Sequence, residues 1–510
     1  MSVRAWWLLL ALLTLVTLAR VATTHRVFSP TIDESWHVIA GYDLLTKGIY
    51  TTDLEHPPLA RVFFGLAFVH VPEPPPNKDG QQRGNSLLAY EGRITANIAR
   101  ARIGNLVFLA LGIVSVALWA RHVLSPIGGL LAALFFASLP PVLGHAGLAT
   151  TDMAVTAMLA LALYALTLFL ERASWPRTLF LGLAIAAGML AKYSFLLYFP
   201  AAALVLCIAR RKIPSAKIFA SALLAAICIW GAYGFTFGTI ANADPHASEY
   251  ATQVFGSDRI TRIPIPAPLY AMGAIEVKHH DLGGHRSFLL GEIRENGWWY
   301  YFPVALFFKT PIAFLILAIA GCRRRTLDLA LIAAAFLAVA MTSHLNLGIR
   351  HVLPIYAPLS ILAAYGATQL QRIASVALLA WLVVGSALAH PDYIPWFNAF
   401  AGRHPERVLS DSNLDWGQDL FRLGRYARAQ HIEFLTISVA TTARLEDLHL
   451  PPHKILEVSE PLHGWVAVSE FNLTFGRALG DDVGAWIDRT FPDSRPYRRI
   501  GKTIRLYHFD

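Results

Sequence analysis

The sequence predicts an α-helical protein that crosses a membrane many times. Hydrophobic residues make up 55% of its 510 residues and charged residues only 15%, with a mean hydropathy of +0.47. An ordinary soluble domain carries more charge and fewer apolar residues. The apolar residues are also gathered in runs of about the 20 residues that a spanning helix needs. Composition and run length together indicate a polytopic membrane protein.

Eleven apolar runs qualify as candidate transmembrane helices, near residues 4–24, 94–121, 126–144, 152–171, 177–192, 194–210, 217–238, 301–322, 327–343, 351–370 and 373–389. The first run, Ala5 to Leu18, resembles a signal peptide, but no convincing small-residue cleavage site follows it, so we expect it to be retained. An odd number of spans places the two termini on opposite sides of the membrane.

Basic residues set the orientation of these spans. They cluster in short loops that fall on the same side as Arg4, which is therefore the cytoplasm, at Arg121/His122, Arg172/Arg177, Arg210 to Lys217, Arg323 to Arg325 and Arg372. This pattern also supports a break between two spans at Lys192, since merging them would move the later clusters outside. Because the basic residues follow the loops, the net charge of +9 does not indicate nucleic-acid binding.

Four segments then face outward: 25–93, 145–151, 239–300 and 390–510. In the first, the run from Leu59 to Val71 is too short to span and is typical of a helix lying in the interface. The last has short alternating runs, Phe434 to Val439 and Gly464 to Val468, which predict half-buried strands. We expect a transmembrane domain over 1–389 and a small extracytoplasmic α/β domain over 390–510.

Carboxylates mark a candidate site on the outward face. Asp33 and Glu34 follow the first apolar run, and an acid pair at a membrane surface is a functional-site hypothesis by default. A solvated first loop is the alternative, and spacing alone does not decide between them. Asp152 begins a span on the same face, where a helix N-cap is the simpler interpretation of that residue taken alone.

Cationic residues at the same membrane level form the second part of this candidate site. Arginine suits a phosphate with its planar fork, and lysine serves as a compact counter-charge. For each residue taken singly, snorkelling or a structural ion pair is the simpler explanation. Together they predict a cationic cleft beside the carboxylates, formed by Arg100, Arg102, Lys192, Lys309, Arg350 and His351.

Other motifs give no support for a calcium loop, a cysteine metal site, a disulfide or a nucleotide-binding loop. The stretch from Asp411 to Asp419 begins like an EF-hand loop but has Trp416 where glycine is needed and Arg422 where glutamate is needed, so its acids are interpreted as turn formers, helix N-caps or substrate-facing groups. The three cysteines show no metal-ligand spacing and no disulfide pattern. No nucleotide-binding loop is present.

Several motifs occur in a recognisable order: Asp33-Glu34, then His56-Pro57-Pro58-Leu59, Asp152, Lys309-Thr310-Pro311, and Gly348 to Pro354. In this order and sidedness, roughly residues 1–390 resemble the GT-C glycosyltransferases, specifically the protein mannosyltransferase and aminoarabinose transferase group, glycosyltransferase family 39. His351 departs from the pattern, since relatives often have tyrosine there, and this leaves the acceptor open.

The resemblance implies an inverting glycosyltransferase of the inner (plasma) membrane and cell envelope. A hexose or pentose would move from a polyprenyl-phosphate carrier to a hydroxyl of a protein, lipid or glycan. Asp33 would be the general base, with Glu34 and Asp152 orienting the substrates. Arg350, with Lys192, Arg100 or Arg102, would hold the leaving phosphate, and His56, Lys309 and His351 would complete the substrate site.

Two questions stay open at this point. A divalent metal is possible, since His56, His145 and the acids could supply ligands, although no spacing requires one. The competing function is a polyprenyl-lipid or sugar transporter, and a scaffold is a third possibility. Transporters commonly carry internal repeats and mid-membrane charges in both halves. This sequence has no such repeat, and its charges gather at one face.

Overall fold

The computed structural model describes residues 1–76, 78–458, 461–479, 482–490 and 495–509. It is mostly helical. The first helices are α1 (Val3–Ala22), α2 (Glu34–Lys47), α3 (Pro58–Gly65), α4 (Gly80–Leu88), α5 (Ile94–Val123), α6 (Pro126–Phe136), α7 (Pro140–Ala146), α8 (Asp152–Glu171), α9 (Trp175–Ala191), α10 (Phe195–Ala209) and α11 (Lys217–Ala232).

The long segment after α11 contains a two-stranded pair, β1 (Phe237–Thr239) with β2 (Pro264–Pro266), and a hairpin, β3 (Ser287–Leu289) with β4 (Glu292–Arg294). Its helices, and those that follow it up to residue 388, are α12 (Ile240–Ala243), α13 (Ala247–Phe255), α14 (Pro268–Gly283), α15 (Tyr301–Lys309), α16 (Ile312–Gly321), α17 (Leu327–Ala340), α18 (Tyr356–Gln369) and α19 (Arg372–Leu388). A 3₁₀ helix, Ile349–Ile355, precedes α18.

In the described part of the chain, three helices are long and apolar enough to cross a membrane, namely α1, α5 and α8. Two bent pairs, α6 with α7 at 68° and α15 with α16 at 111°, raise this to five if each pair is one span. The predicted break at Lys192 is present, because α9 ends at Ala191 and α10 begins at Phe195. The count of eleven spans stays a prediction, as do the domain boundaries.

Proline explains both bends. Pro140 stands at the first turn of α7 and Pro311 directly precedes α16. Proline lacks a backbone N–H and disfavours helical geometry in the residue before it, so the preceding helix ends there.

Glycine brings α2 and α3 into backbone contact. A Cβ on Gly41 would lie 1.9 Å from the carbonyl oxygen of Arg61, and one on Gly65 would lie 2.4 Å from the carbonyl carbon of Gly41. Only glycine permits such an approach. Helix α3 and the turn after it confirm the helical prediction for Leu59 to Val71. Phe64 and Phe68 are buried in the core.

The C-terminal part folds as the predicted small α/β domain. Its elements are α20 (Leu420–Ala429), β5 (Leu435–Ser438), β6 (His453–Ile455), β7 (Gly464–Ser469), α21 (Glu470–Leu479), α22 (Val483–Thr490), β8 (Arg498–Ile500) and β9 (Ile504–Phe509). The five strands form one mixed sheet in the order β6-β5-β7-β9-β8, with β5 parallel to both neighbours and β9 antiparallel to both of its own. Strands β5 and β7 confirm the two predicted strands.

Candidate active site

A large cavity of about 1390 Å³ lies where the 25–93 segment, the long 239–300 segment and the C-terminal domain meet the helices. Its wall includes five of the residues that the sequence nominated: Asp33, His56, Lys192, Arg350 and His351. Residues separated by more than 300 positions therefore share one enclosure.

Asp33 and Arg350 form an ion pair in the cavity wall, with Nη1 of Arg350 2.6 Å from Oδ2 of Asp33. Asp33 lies at the start of α2 and keeps 27% of its side chain exposed, whereas the Arg350 side chain is 9% exposed. The Arg350 guanidinium also lies 4.4 Å from the ring centre of Trp416, a cation–π contact. Nε of Arg350 donates to the carbonyl of Leu347 at 3.3 Å, so Nη2 is the guanidinium nitrogen that no described residue bonds and that an anion in the cavity could take.

Asp152 and Lys192 form a second ion pair, at 2.6 Å. Asp152 is the first residue of α8, where Thr151 is the N-cap and makes no side-chain capping bond. The Asp152 carboxylate is buried against Lys192, and no group in the described part of the chain bonds its other oxygen. This carboxylate therefore orients a cavity cation. Asp152 also lies in the first turn of α8 next to the N-cap residue Thr151, so the N-cap interpretation correctly placed the helix start.

The remaining predicted residues of the cavity are histidines. The His351 ring stacks beside Phe302 at 6.4 Å, and its carbonyl accepts a hydrogen bond from Tyr198. His56 lies with Nδ1 3.7 Å from Oδ2 of Asp53.

Titratable residues of both charges line the cavity on α14 and next to it. Glu55 pairs with His280 at 3.0 Å, and Glu276 lies beside them in the lining. Burial, followed by the charge of Glu55, raises the pKa of Glu276 to about 7. The hydrogen bond that the His280 ring donates to the Glu55 carboxylate raises the pKa of His280. The cavity wall is thus charged on both sides, with Arg350 and Lys192 on the helix side and the titratable pair Glu276 and His280 on α14.

The C-terminal domain contributes the remaining wall. Asp411, Trp416, Phe471 and Phe475 line the cavity, and the two phenylalanine rings stack at 4.6 Å. Burial raises the pKa of Asp411 even though Arg350 is near it.

A metal would find three candidate ligands together: His37, Asp53 and His56 offer atoms within 4.8 Å of one another. His56 is thus grouped with His37 rather than with the predicted His145, whose ring lies beside Trp416. Arg61 occupies the same cluster. Its Nε donates to Nδ1 of His37 at 3.1 Å, and its guanidinium pairs with Asp53. An arginine that neutralises one ligand and bonds another makes a poor cation site.

The chain resembles known proteins in part of its sequence and in its fold. Residues 93–233 match the family model described as dolichyl-phosphate-mannose-protein mannosyltransferase. The solved structure of ArnT from Cupriavidus metallidurans bound to undecaprenyl phosphate aligns over 99% of this chain and 98% of its own, with 11% identity and a TM-score of 0.53. The chain has the GT-C fold. This confirms the resemblance that the motifs indicated.

Two further solved structures also align with this chain. The apo structure of the same ArnT aligns equally well, with a TM-score of 0.53 and 12% identity. An oligosaccharyltransferase from Archaeoglobus fulgidus, tethered to an acceptor peptide with the NVT sequon, aligns over 77% of this chain and 55% of its own at 13% identity, with a TM-score of 0.43. No curated protein sequence matches the chain.

Within this GT-C fold, Glu34 is not a cavity residue. Its side chain is fully buried, bonds Nε and Nη2 of Arg102 at 2.8 and 2.6 Å, and accepts from the backbone of Thr31 and Ala149. Burial would raise the pKa of Glu34, but Arg102 and these hydrogen bonds hold it below its ordinary value. The remaining Arg102 donors bond three carbonyls, those of His25, Phe28 and Ser29.

This pair corrects the expectation that Glu34 orients a substrate and Arg102 holds a phosphate. Both side chains have their bonding groups occupied by protein, so they join α2, α5 and the end of α1 instead.

Lys309 and Arg100 also lie outside the cavity lining. Nζ of Lys309 is buried and donates to the carbonyls of Ile394, Trp396 and Asn413 at 2.6, 2.6 and 2.7 Å. Because all three ammonium hydrogens are used, this lysine ties the α15–α16 bend to the C-terminal part. Arg100 lies exposed on α5. The structure thus corrects the predicted substrate-binding roles of both residues.

Sequence reasoning missed His37, Glu55 and Glu276. His37 follows Asp33 by four residues, which places it on the same face of a helix, so spacing alone would have found it. Glu55 and Glu276 are brought together only by tertiary folding and carried no sequence signal.

Proposed function

We propose that the protein is an integral membrane glycosyltransferase that moves a sugar from a polyprenyl-phosphate carrier to an acceptor hydroxyl, with inversion. The observation that carries this proposal is a single cavity containing Asp33 beside the cations Arg350 and Lys192. A reaction that deprotonates an alcohol and releases a phosphate needs a positioned base next to fixed positive charge. The bound undecaprenyl phosphate of the ArnT structure supports the same carrier class here.

The step balances with the groups present. The Asp33 carboxylate accepts the proton of the acceptor hydroxyl while that oxygen bonds to the anomeric carbon. The bond from this carbon to the phosphate oxygen breaks, and its electron pair leaves with the polyprenyl phosphate. Arg350 and Lys192 stabilise the negative charge that develops there. Attack opposite the leaving group inverts the anomeric configuration.

Without substrate, the proposed base is paired with the proposed phosphate ligand. A donor phosphate that binds Arg350 competes with Asp33 for the guanidinium, so binding of the donor frees the carboxylate to act as a base. Lys192 is shared in the same way between Asp152 and the phosphate. The two ion pairs therefore favour donor binding before acceptor activation.

The orientation of the spans supports a cavity and C-terminal domain on the extracytoplasmic side of the plasma (inner) membrane. The acceptor is a protein, lipid or glycan in that compartment. The two substrates then have separate walls, with the phosphate beside Arg350 and Lys192 and the acceptor beside the wall that the C-terminal domain contributes.

The test is transfer of labelled sugar from a polyprenyl-phosphate donor in membranes. Asp33→Asn should lower kcat by about 100-fold or more, as expected for loss of a general base. Asp258→Asn is the matched control, since this carboxylate pairs with Arg262 away from the cavity lining. Unchanged transfer by Asp33→Asn would remove the base assignment. Vectorial movement of the lipid without a new glycosidic bond would favour the transporter.

A further inference from the structure

His37 shares a helix face with the proposed base. Its backbone N–H donates to the carbonyl of Asp33 at 3.3 Å, one turn earlier in α2, and both side chains line the cavity. The residue is only 2% exposed. Its ring packs edge-to-face on His56 at 4.8 Å. His37 is therefore held rigidly beside the place where the reacting oxygen must lie.

Arg61 determines which nitrogen of His37 carries the proton. The buried guanidinium donates from Nε to Nδ1 of His37 at 3.1 Å, and its other nitrogens bond Tyr50, Asp53 and the carbonyl of His56. A guanidinium has no acceptor and stays charged. Nδ1 must therefore present a lone pair, so the neutral ring carries its proton on Nε2.

The Nε2–H group is left for the cavity. No described residue forms a hydrogen bond to it, and the ring is part of the cavity wall. Nε2 is not one of the fully buried nitrogens that lack a partner, so a ligand in the cavity can reach it. A polar group placed at the wall of a binding cavity fixes the orientation of the ligand.

We infer that His37 is a fixed hydrogen-bond donor to an oxygen of the sugar-phosphate donor, held in that tautomer by Arg61. This inference rests on the proposed function. It assigns the His37, Asp53 and His56 cluster to substrate binding instead of metal binding. A metal on Nε2 would require a ring with no proton at all, because Nδ1 already accepts from Arg61.

The same contact excludes His37 as a proton acceptor. The charged ring would place its second proton against the Nε–H of Arg61. The charged and titratable groups facing His37 are Arg61, His56, Asp53 and Asp152. Burial, followed by the charges of Arg61 and His56, holds the pKa of His37 well below its ordinary value, so it stays neutral.

Paired variants test the donor role. His37→Gln keeps a carbonyl for Arg61 and an amide N–H for the cavity, whereas His37→Leu keeps neither. We expect His37→Leu to weaken kcat/KM for the donor by about 10- to 100-fold, as for loss of a hydrogen bond to a charged acceptor, and His37→Gln to stay within a few-fold of wild type.

His25 supplies the control, since it is a buried histidine outside the cavity lining. His25→Gln should leave kcat/KM unchanged. Binding of polyprenyl phosphate without a sugar shows which oxygen accepts the hydrogen bond from His37. If His37→Leu weakens this binding, the accepting oxygen belongs to the phosphate. If His37→Leu weakens only the binding of the sugar-linked donor, the accepting oxygen belongs to the sugar. A folded His37→Leu protein with wild-type binding and transfer would overturn the inference.

A measurement without substrate separates this inference from the proposed function. Nitrogen NMR of histidine-labelled protein, with the His37 signals identified by their loss in His37→Gln, reports the tautomer directly. We expect the proton on Nε2 from pH 5 to 8, the range in which an ordinary histidine titrates, and no change on adding Zn²⁺.

Arg61→Lys keeps the charge beside Asp53 but loses the fixed planar donor to Nδ1, so in that protein the His37 proton should no longer be confined to Nε2 and signals of both tautomers should appear. Wild-type signals that titrate or shift with Zn²⁺, or an Arg61→Lys protein in which the proton stays on Nε2 alone, would contradict the inference even if sugar transfer is confirmed.

Discussion

At the scale of single residues, the site consists of carboxylates already paired with the cations that a phosphate would take. The Asp33–Arg350 and Asp152–Lys192 distances, both 2.6 Å, are those of charge-assisted hydrogen bonds. Burial removes water from both charges of such a pair, and the attraction between the two charges offsets this desolvation penalty. An entering phosphate gives each cation another anionic partner, and Asp33, whose side chain is 27% exposed, can be solvated in the cavity when it is released.

Transfer should depend on both the charge and the shape of the Arg350 side chain. Arg350→Gln should lower kcat/KM about 100-fold or more, because the charge on the leaving phosphate loses its main partner. Arg350→Lys should recover part of this, since a lysine supplies charge without the fork. Steady-state transfer kinetics measure both, with Arg262→Gln as a surface control. Equal rates for Arg350→Gln and wild type would exclude phosphate binding by this residue.

Glu34 and Arg102 should matter for stability instead. Breaking a buried ion pair by removing one partner costs about 3–5 kcal/mol, because the other charge is left without a partner. Glu34→Gln should therefore lower the unfolding temperature in detergent while the folded fraction keeps its kcat. A folded Glu34→Gln protein of wild-type stability but impaired kcat would restore the substrate role that the sequence suggested.

At the scale of elements, the 411–419 segment joins the cavity to the C-terminal sheet. Asp415 accepts from the backbone of Gly417 and of Phe471, at the start of α21, at 3.1 and 2.9 Å. Asp419 accepts from Lys502 and Thr503, beside β9. Asp411 lines the cavity. Asp415 thus bonds within the turn and to the start of α21, and Asp419 bonds the residues before β9 without capping α20 through its side chain. The substrate-facing role stays a prediction, which Asp411 in the cavity wall would fit.

Asp415 makes the stability of this element depend on pH. Burial raises the pKa of Asp415 to about 7 from its ordinary 3.8. The folded protein therefore holds this proton more tightly, and the resulting stabilisation is complete below about pH 4 and is lost as pH rises through about 7. Asp415→Asn should flatten this decline, which amounts to about 4 kcal/mol at most. Thermal unfolding of both proteins from pH 4 to 8 measures it, and identical slopes would contradict the assignment.

At the scale of the whole molecule, the C-terminal domain closes the cavity. Thr442 donates to the carbonyl of Ile32, one residue before the proposed base, and the carbonyl of Asn413 accepts from Lys309. The sheet domain therefore positions the first segment as well as covering the site.

Removing residues 390–510 should abolish transfer, because the cavity loses one wall and Lys309 loses its carbonyl partners. Transfer assays on truncated protein, with folding checked by gel filtration in detergent, test this. A folded 1–389 chain with wild-type transfer would show that the domain is dispensable.

Thiol labelling tests which side of the membrane each loop faces. Cys322 is exposed beside the Arg323 cluster, on the predicted cytoplasmic side. A membrane-impermeant thiol reagent applied to intact cells should leave it unlabelled, while Ser257→Cys in the 239–300 segment should be labelled. The reverse pattern would invert the proposed topology.

The sequence alone determined the class of protein, most helix positions, the Lys192 break, the strands of the C-terminal domain and the nomination of Asp33, Asp152, Lys192 and Arg350. These follow from local signals, since apolar length, strand alternation and isolated charges in apolar surroundings can each be recognised in short stretches. Adjacent residues such as Asp33 and Glu34 carried the same signal.

Tertiary structure decided which charges face the cavity and which are occupied by protein. Glu34, Arg102 and Lys309 find partners up to 115 positions away in the chain, and those partners satisfy them fully. Asp33 and Arg350 meet across 317 positions at an open wall. The difference between a structural and a substrate-facing charge is therefore the identity of its neighbours in space, which no local pattern encodes.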